Sequence, residues 1–309
     1  MNKQNIPWTE KYRPNNFNNI VLDNYNKLLF QNILENNKFP NLLFYGSPGI
    51  GKTTTIINLI NKYQEINNEL SKSLIIHLNA SDERGIDIIR NQIYNFVNTN
   101  TLFDNGTKFV ILDEVDYMTR VAQQALKSLV QDHKDKIKFC LICNYISKID
   151  ISLQNEFIKI RFNNLSHSDI FNYLHNIIVN ENINMSNKNI NAIIQYYEYD
   201  IRSMINFIQS NINDKINIID KNIMNTIYNI NINSDLTKFK KILDSVENKY
   251  HVNKEYIIKY YLMFIITNNF NNVNYDFLIQ IENIIHNVQN IDIIINYVYF
   301  LIKDLKSLN

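Results

Sequence analysis

Chain-breaking residues are scarce in this sequence. Its 309 residues include only five glycines and four prolines, and all of them lie before residue 110. Beyond that point no backbone chemistry of this kind interrupts a helix. Cysteine is limited to Cys140 and Cys143, which excludes a disulfide framework and fits a reducing compartment. Neither sign of charge dominates: 31 Lys+Arg against 30 Asp+Glu leave a net charge of +1. A globally basic coat is therefore absent, and any contact with nucleic acid must come from a few placed cations. No run approaches the ~20 apolar residues of a membrane span, and Met1–Pro7 is polar, unlike a signal peptide. The expectation is a soluble, intracellular protein with no membrane partner. With 45% hydrophobic residues, the chain can bury two or three modest cores.

What is present is organised in two styles. Short apolar runs punctuate the first half: Asn41–Tyr45, Ser73–Leu78, Lys108–Leu112 and Lys138–Cys143. Continuous apolar runs of this length read as strands buried on both faces of a parallel sheet. Helical patterns separate them. One carries Val121, Ala122, Ala125, Leu126, Leu129 and Val130 on a stripe, with Thr119 as N-cap. Alternating strand and helix predict an α/β domain. In the second half Ser166-His167-Ser168-Asp169 has capping-box spacing ahead of an amphipathic stripe, and Asp200 is placed to cap a helix from Ile201. We expect three domains: an α/β domain over 1–162, a small helical domain over 163–228 and a second helical domain over 229–309.

One loop carries specific chemistry. Gly46-Ser47-Pro48-Gly49-Ile50-Gly51-Lys52-Thr53 fits G-x-x-x-x-G-K-[ST] completely, after an apolar strand and before a helical pattern from Thr54. The glycines let amides turn toward phosphate oxygens, Lys52 supplies a point charge, and the Thr53 hydroxyl can ligate Mg²⁺. Asp113 closes the run Phe109–Leu112, where a carboxylate can share that ion, and Glu114 beside it can polarise an attacking water. Asp116 reads as a loop or capping acid. The chain is thus expected to bind ATP with Mg²⁺.

The surroundings of these motifs resemble the small subunits of replication factor C, the sliding-clamp loader of the AAA+ class. The resembling blocks are Pro7–Pro14, Phe39–Ile57, Leu78–Asp87, Leu112–Thr119 with Ala122–Leu126, and Cys143–Ile149. The resemblance implies an AAA+ P-loop ATPase domain with a mostly parallel sheet, an all-α lid and an all-α collar that joins other subunits. It implies Asn144 as a sensor of the γ-phosphate and Arg202 as a second sensor on the lid. It brings Arg13 toward the nucleotide, with Thr54 after the loop. Arg84, Arg90 and Lys148 match DNA-facing positions. The implied partners are other subunits in a five-membered hetero-oligomer, a ring-shaped clamp and primer–template DNA. The implied location is the nucleus in a eukaryote, or a cytoplasmic replication site in a viral or archaeal setting.

The sequence also departs from that pattern. Leu153-Gln154 is followed by Asn155-Glu156-Phe157, so Glu156 stands where the family has an arginine that reaches a neighbour's ATP site. Lys127-Ser128 replaces the usual arginine pair. A subunit that binds ATP with little turnover, or another helicase-type nucleic-acid ATPase, remain as alternatives. Cys140 and Cys143 lie three apart on a strand pattern, which turns them to opposite faces and argues against a shared metal.

Overall fold

The computed structural model describes residues 6–69, 71–81, 88–98, 106–133, 137–197, 200–211, 219–250, 252–268, 275–287 and 290–307. The chain divides into two compact units, Met1–Ile212 and Asn213–Asn309.

Five parallel strands form the sheet of the first unit: β1 (Leu42–Tyr45), β2 (Ile75–Asn79), β3 (Lys108–Asp113), β4 (Ile137–Cys143) and β5 (Ile158–Arg161). Their order is β2-β3-β4-β1-β5. The four apolar runs of the sequence are β1 to β4, and β5 is an addition. Ile158-Lys159-Ile160-Arg161 alternates apolar and charged because it is an edge strand with only Ile160 buried. The run Ser73–Leu78 was expected to be covered on both faces; it becomes the opposite edge, β2, only half-buried.

The pleat sends alternate side chains to two cores. Leu43, Val110, Leu112, Phe139, Leu141 and Cys143 pack with Ala122, Leu126, Leu129 and Val130 of helix α5 (Arg120–Asp132). Leu42, Phe44, Phe109, Ile111, Cys140 and Ile142 pack instead with α2 (Asn24–Glu35) and α3 (Lys52–Ile66) through Phe30, Ile33, Ile56, Leu59 and Ile60. Cys140 and Cys143 therefore do face opposite ways, both buried as free thiols.

The caps follow the sequence. Thr119 Oγ1 accepts the Ala122 N–H at 3.3 Å to start α5. Ser166 Oγ accepts the Asp169 N–H at 3.1 Å at the head of α7 (His167–Asn180). Asp200 Oδ1 accepts the Ser203 N–H at 3.3 Å at the head of α9 (Ile201–Ser210). With α8 (Asn187–Tyr196), these helices complete the first unit.

The second unit holds α10 (Lys221–Asn233), α11 (Leu236–Tyr250), α12 (Lys254–Asn268), α13 (Tyr275–Asn287) and α14 (Ile291–Ser307). The boundary expected at 228 falls inside α10, and the division lies at Ile212–Asn213 instead. The reason is packing: Met224 and Ile227 of α10 join the core of Phe239, Leu243 and Tyr261. Asn231 also donates to the buried Tyr261 hydroxyl at 3.0 Å.

Phe139 is fully buried at the middle of β4. Phe139→Ala should remove about 3–5 kcal/mol from the first unit. Urea unfolding should show an earlier transition for that unit, with the helical signal of the second unit unmoved.

Candidate nucleotide-binding site

The strand order places the C-terminal ends of β1, β4 and β3 side by side, the position where open α/β sheets bind ligands. The loop Gly46–Gly51 leaves β1 and enters α3. Gly49 and Gly51 adopt φ of 74° and 88°, the left-handed region that glycine enters without strain. A Cβ on Gly49 would also lie 1.9 Å from Asp200 Oδ1, so the loop runs against the cap of α9. Gly51 caps α3 without any side-chain bond. The first amides of that helix are therefore open to an anion.

Lys52 is the first residue of α3 and is 7% exposed. Its ammonium donates to the carbonyls of Gly46 (2.8 Å) and Ser47 (2.7 Å) and to Asn144 Oδ1 (2.9 Å). Burial lowers its pKa from the usual lysine value, and the Asp113 carboxylate partly offsets that shift. Thr53 Oγ1 donates to Asp113 Oδ2 at 2.6 Å. Hydroxyl and carboxylate thus converge as hard oxygen donors, a set that suits Mg²⁺. Glu114 follows at φ 56°, ψ 38°, a left-handed conformation that costs a non-glycine residue of order 1–3 kcal/mol. Its amide is tied to Asp113 Oδ1 at 2.9 Å.

A cavity of about 240 Å³ opens over this cluster. Its walls include Arg13, Pro48, Gly49, Ile50, Gly51, Lys52, Thr53, Thr54, Asp113, Glu114, Asn144 and Arg202. Gly46 and Ser47 contribute their carbonyls to Lys52 rather than a wall. Arg13 Nε donates to Thr54 Oγ1 at 3.1 Å. Arg84 lies outside the described residues. Arg90 falls on a π-helical turn, Ile88–Ile93. Lys148 does not line the cavity, and its ammonium lies over the rings of Tyr117 and Tyr145. Asp116 is more than a loop acid: it is 6% exposed, and its Oδ2 accepts the Tyr145 N–H at 3.3 Å.

Sequence reasoning missed the apolar end of the cavity. Ile20, Val21 and Leu165 line it together with Ile170 and Tyr173 of α7 and Ile201 and Ile205 of α9. Ile170 was visible as part of an amphipathic stripe, but no local pattern says what that stripe covers. Burial pushes the Tyr173 phenol up to about 12, and its hydroxyl donates to the Tyr12 carbonyl at 2.8 Å. This bond belongs to a strap. Helix α1 (Trp8–Lys11) leads into it. The Trp8 N–H donates to Gln209 Oε1 at 2.9 Å, Tyr12 donates to Glu181 Oε1 at 2.6 Å, and Lys11 pairs with the same carboxylate. Asn58 Nδ2 of α3 reaches the Pro14 carbonyl at 2.8 Å.

Residues 42–165 match the AAA family, "ATPase family associated with various cellular activities". Replication factor C subunit 3 of Saccharomyces cerevisiae is 37% identical over 193 residues, covering 62% of this chain and 56% of the relative. Replication factor C subunit 5 of Homo sapiens is 38% identical over 191 residues, with the same two shares of 62% and 56%. The replication factor C small subunit of Methanococcus vannielii is 38% identical over 194 residues, or 63% and 61%. The chain is related to the replication factor C small subunits. It spans a little over half the length of these curated replication factor C relatives. Among solved structures, the Thermotoga maritima RuvB Holliday junction branch migration motor superposes with a TM-score of 0.52 at 14% identity. That match covers 83% of this chain and 91% of the other. It supports the AAA-type fold alone, whereas the replication factor C likeness extends to sequence.

Charge-assisted hydrogen bonds contribute about 1.5–3 kcal/mol each. Lys52→Ala should therefore weaken Mg²⁺-dependent ATP uptake by roughly 10- to 100-fold, as read by isothermal titration with the full chain. Thr53→Ala should weaken uptake in the presence of Mg²⁺ and leave the smaller metal-free uptake unchanged.

Proposed function

We propose that this chain is an ATP-hydrolysing subunit of a DNA clamp loader, one that opens a ring-shaped sliding clamp and loads it at primer–template junctions. The observation that carries the reading is the convergence of Lys52, Thr53, Asp113 and Asn144 on one cavity wall. The relatives' names supply the clamp-loading context.

In this reading the adenine enters the apolar end of the cavity between Val21, Ile170 and Ile205, and the triphosphate runs along the open amides of α3. Bound Mg²⁺, held by Thr53 and Asp113, would neutralise charge on the β- and γ-phosphates. Lys52 exchanges its loop carbonyls for phosphate oxygens. Its present partner Asn144 is then placed to orient the water that Glu114 polarises. Arg202, which also lines the cavity, would meet the γ-phosphate from α9. Closure of α7 to α9 over the nucleotide excludes bulk water. In this reading residues 1–162 carry the chemistry, α7 to α9 form the lid, and the second unit serves assembly into a five-membered ring. The all-helical second unit suits that last role. Arg84, Arg90 and Lys148 would track the DNA backbone without reading bases.

Glu156 gives the reading a specific corollary. By the resemblance it stands where the trans-acting arginine would be, and here it accepts from Gln131 Nε2 at 2.6 Å. A finger of that kind contributes about 10³–10⁵ in rate. This chain would take an arginine from a neighbour for its own site and give none in return.

No helix among the described residues is long and apolar enough to cross a membrane, which agrees with work at replicating DNA, in the nucleus of a eukaryote.

Purification of the tagged chain, with mass spectrometry of what accompanies it, tests the assembly: related ATPases and a clamp support the reading, and a lone monomer contradicts it. In the recovered complex Glu114→Gln should retain ATP uptake and lower turnover at this site by about 10²-fold or more. Unchanged turnover of the whole complex would instead indicate a structural nucleotide here.

A further inference from the structure

The loop after β4, residues 144–150, is fastened from beneath by three side chains. Asp116 Oδ2 takes the Tyr145 N–H. Gln123, 1% exposed, donates to the Lys148 carbonyl at 3.2 Å and accepts the Asp150 N–H at 2.7 Å. Gln154 Nε2 donates to the carbonyls of Ile146 (3.1 Å) and Ile149 (2.9 Å). A loop with so many of its backbone groups tied down is a rigid platform.

Its outward side joins two exposed rings to one cation. Tyr145 is 60% exposed, and Tyr117, on the turn after β3, is 56% exposed. The Lys148 ammonium stands 5.1 Å from one ring centroid and 5.4 Å from the other. Among the described residues it has no ion pair. The carboxylate nearest in sequence, Asp150, is engaged with the Ser152 N–H at 2.7 Å, capping the short helix α6 (Ile151–Gln154).

A free lysine side chain loses rotamer entropy when it grips an anion. Two ring faces that already hold the ammonium reduce that loss. The ammonium has no ion-pair partner among the described residues, and exposed aromatic surface flanks it. Cation plus aromatic rings on a fixed platform suits a nucleic-acid backbone, in which a phosphate alternates with apolar sugar and base faces. We propose that Tyr117, Tyr145 and Lys148 together form one seat for a phosphodiester of bound nucleic acid, with the two rings holding the ammonium in place. The inference rests on the nucleic-acid partner of the proposed function and adds the two tyrosines to it as positioning residues. Such a seat contacts backbone alone and carries no sequence preference.

The test uses the assembled complex with Mg²⁺ and ATP, and the anisotropy of a labelled primer–template across a salt series. Lys148→Ala should reduce the slope of log K against log salt by about 1. Tyr117→Ala with Tyr145→Ala should weaken binding roughly fivefold to thirtyfold at moderate salt, the effect of two exposed cation–ring contacts. Tyr117→Phe with Tyr145→Phe keeps both ring faces and should bind as the parent does. Phe substitutions as damaging as Ala would overturn the seat, and so would a Lys148→Ala slope equal to the parent's, with the DNA reading left standing. A parent complex that takes up ATP yet binds no primer–template overturns both together. Loss of subunits from the complex on Lys148→Ala, at unchanged DNA affinity, would make the cluster a protein contact and also refute it.

Discussion

The ammonium of Lys52 has been withdrawn from water, and that placement constrains the architecture around it. A cation so buried must be surrounded by acceptors, because desolvation alone would drive it neutral. The structure supplies two carbonyls from the loop before it and the Asn144 amide from across the sheet. Supplying them requires a loop that turns on glycines, a helix that starts at Lys52 itself, and β1 hydrogen-bonded directly to β4. The strand order answers this requirement: β4, inserted between β1 and β3, brings Asn144 to the lysine, and β3 beyond it brings Asp113 to Thr53. The acceptors that Lys52 hydrogen-bonds are all neutral, and the carboxylate with the largest electrostatic effect on it, Asp113, bonds instead to the next residue, Thr53. That arrangement holds a cation ready for a polyanion without satisfying it by a buried ion pair, which would have to be broken on binding.

Control of the cavity is distributed over segments far apart in sequence. The phosphate end belongs to the sheet. The apolar end is made by the lid helices and by residues 20 and 21. The strap of Trp8 to Pro14 touches both parts: Arg13 reaches Thr54 on α3, and Tyr12 reaches Glu181 and Tyr173 on the lid. A displacement of α7 therefore pulls on a segment that also borders the nucleotide. Gly49 against Asp200 makes the same connection from the other side.

How much of this could be read beforehand depended on whether the signal was local. The four central apolar runs, the phosphate loop, Asp113 with Glu114, and the caps at Thr119, Ser166 and Asp200 are each written within a dozen residues, and each was legible. β5 was not, because four residues alternating Ile with Lys and Arg resemble any half-exposed segment; only its pairing with β1 makes it a strand. The residues of the cavity's apolar end were not, because Tyr173 and Ile205 look like ordinary core positions of amphipathic helices. The unit boundary at residue 212 was missed for a compositional reason. With no glycine or proline past residue 106, helix follows helix without punctuation, and which core α10 joins is a matter of tertiary packing. Asp116 was undervalued because burial cannot be read from a carboxylate at the end of a turn.

The two cysteines, on opposite faces of β4, have a practical consequence. Both are buried, and burial pushes both thiols up, that of Cys143 to about 12. At neutral pH neither presents thiolate to a maleimide or an iodoacetamide. The native chain should therefore react little with such reagents, so one cysteine introduced on the strap and another on α7 could carry a fluorophore pair that reports the distance between them, with no native residue removed to make room for them.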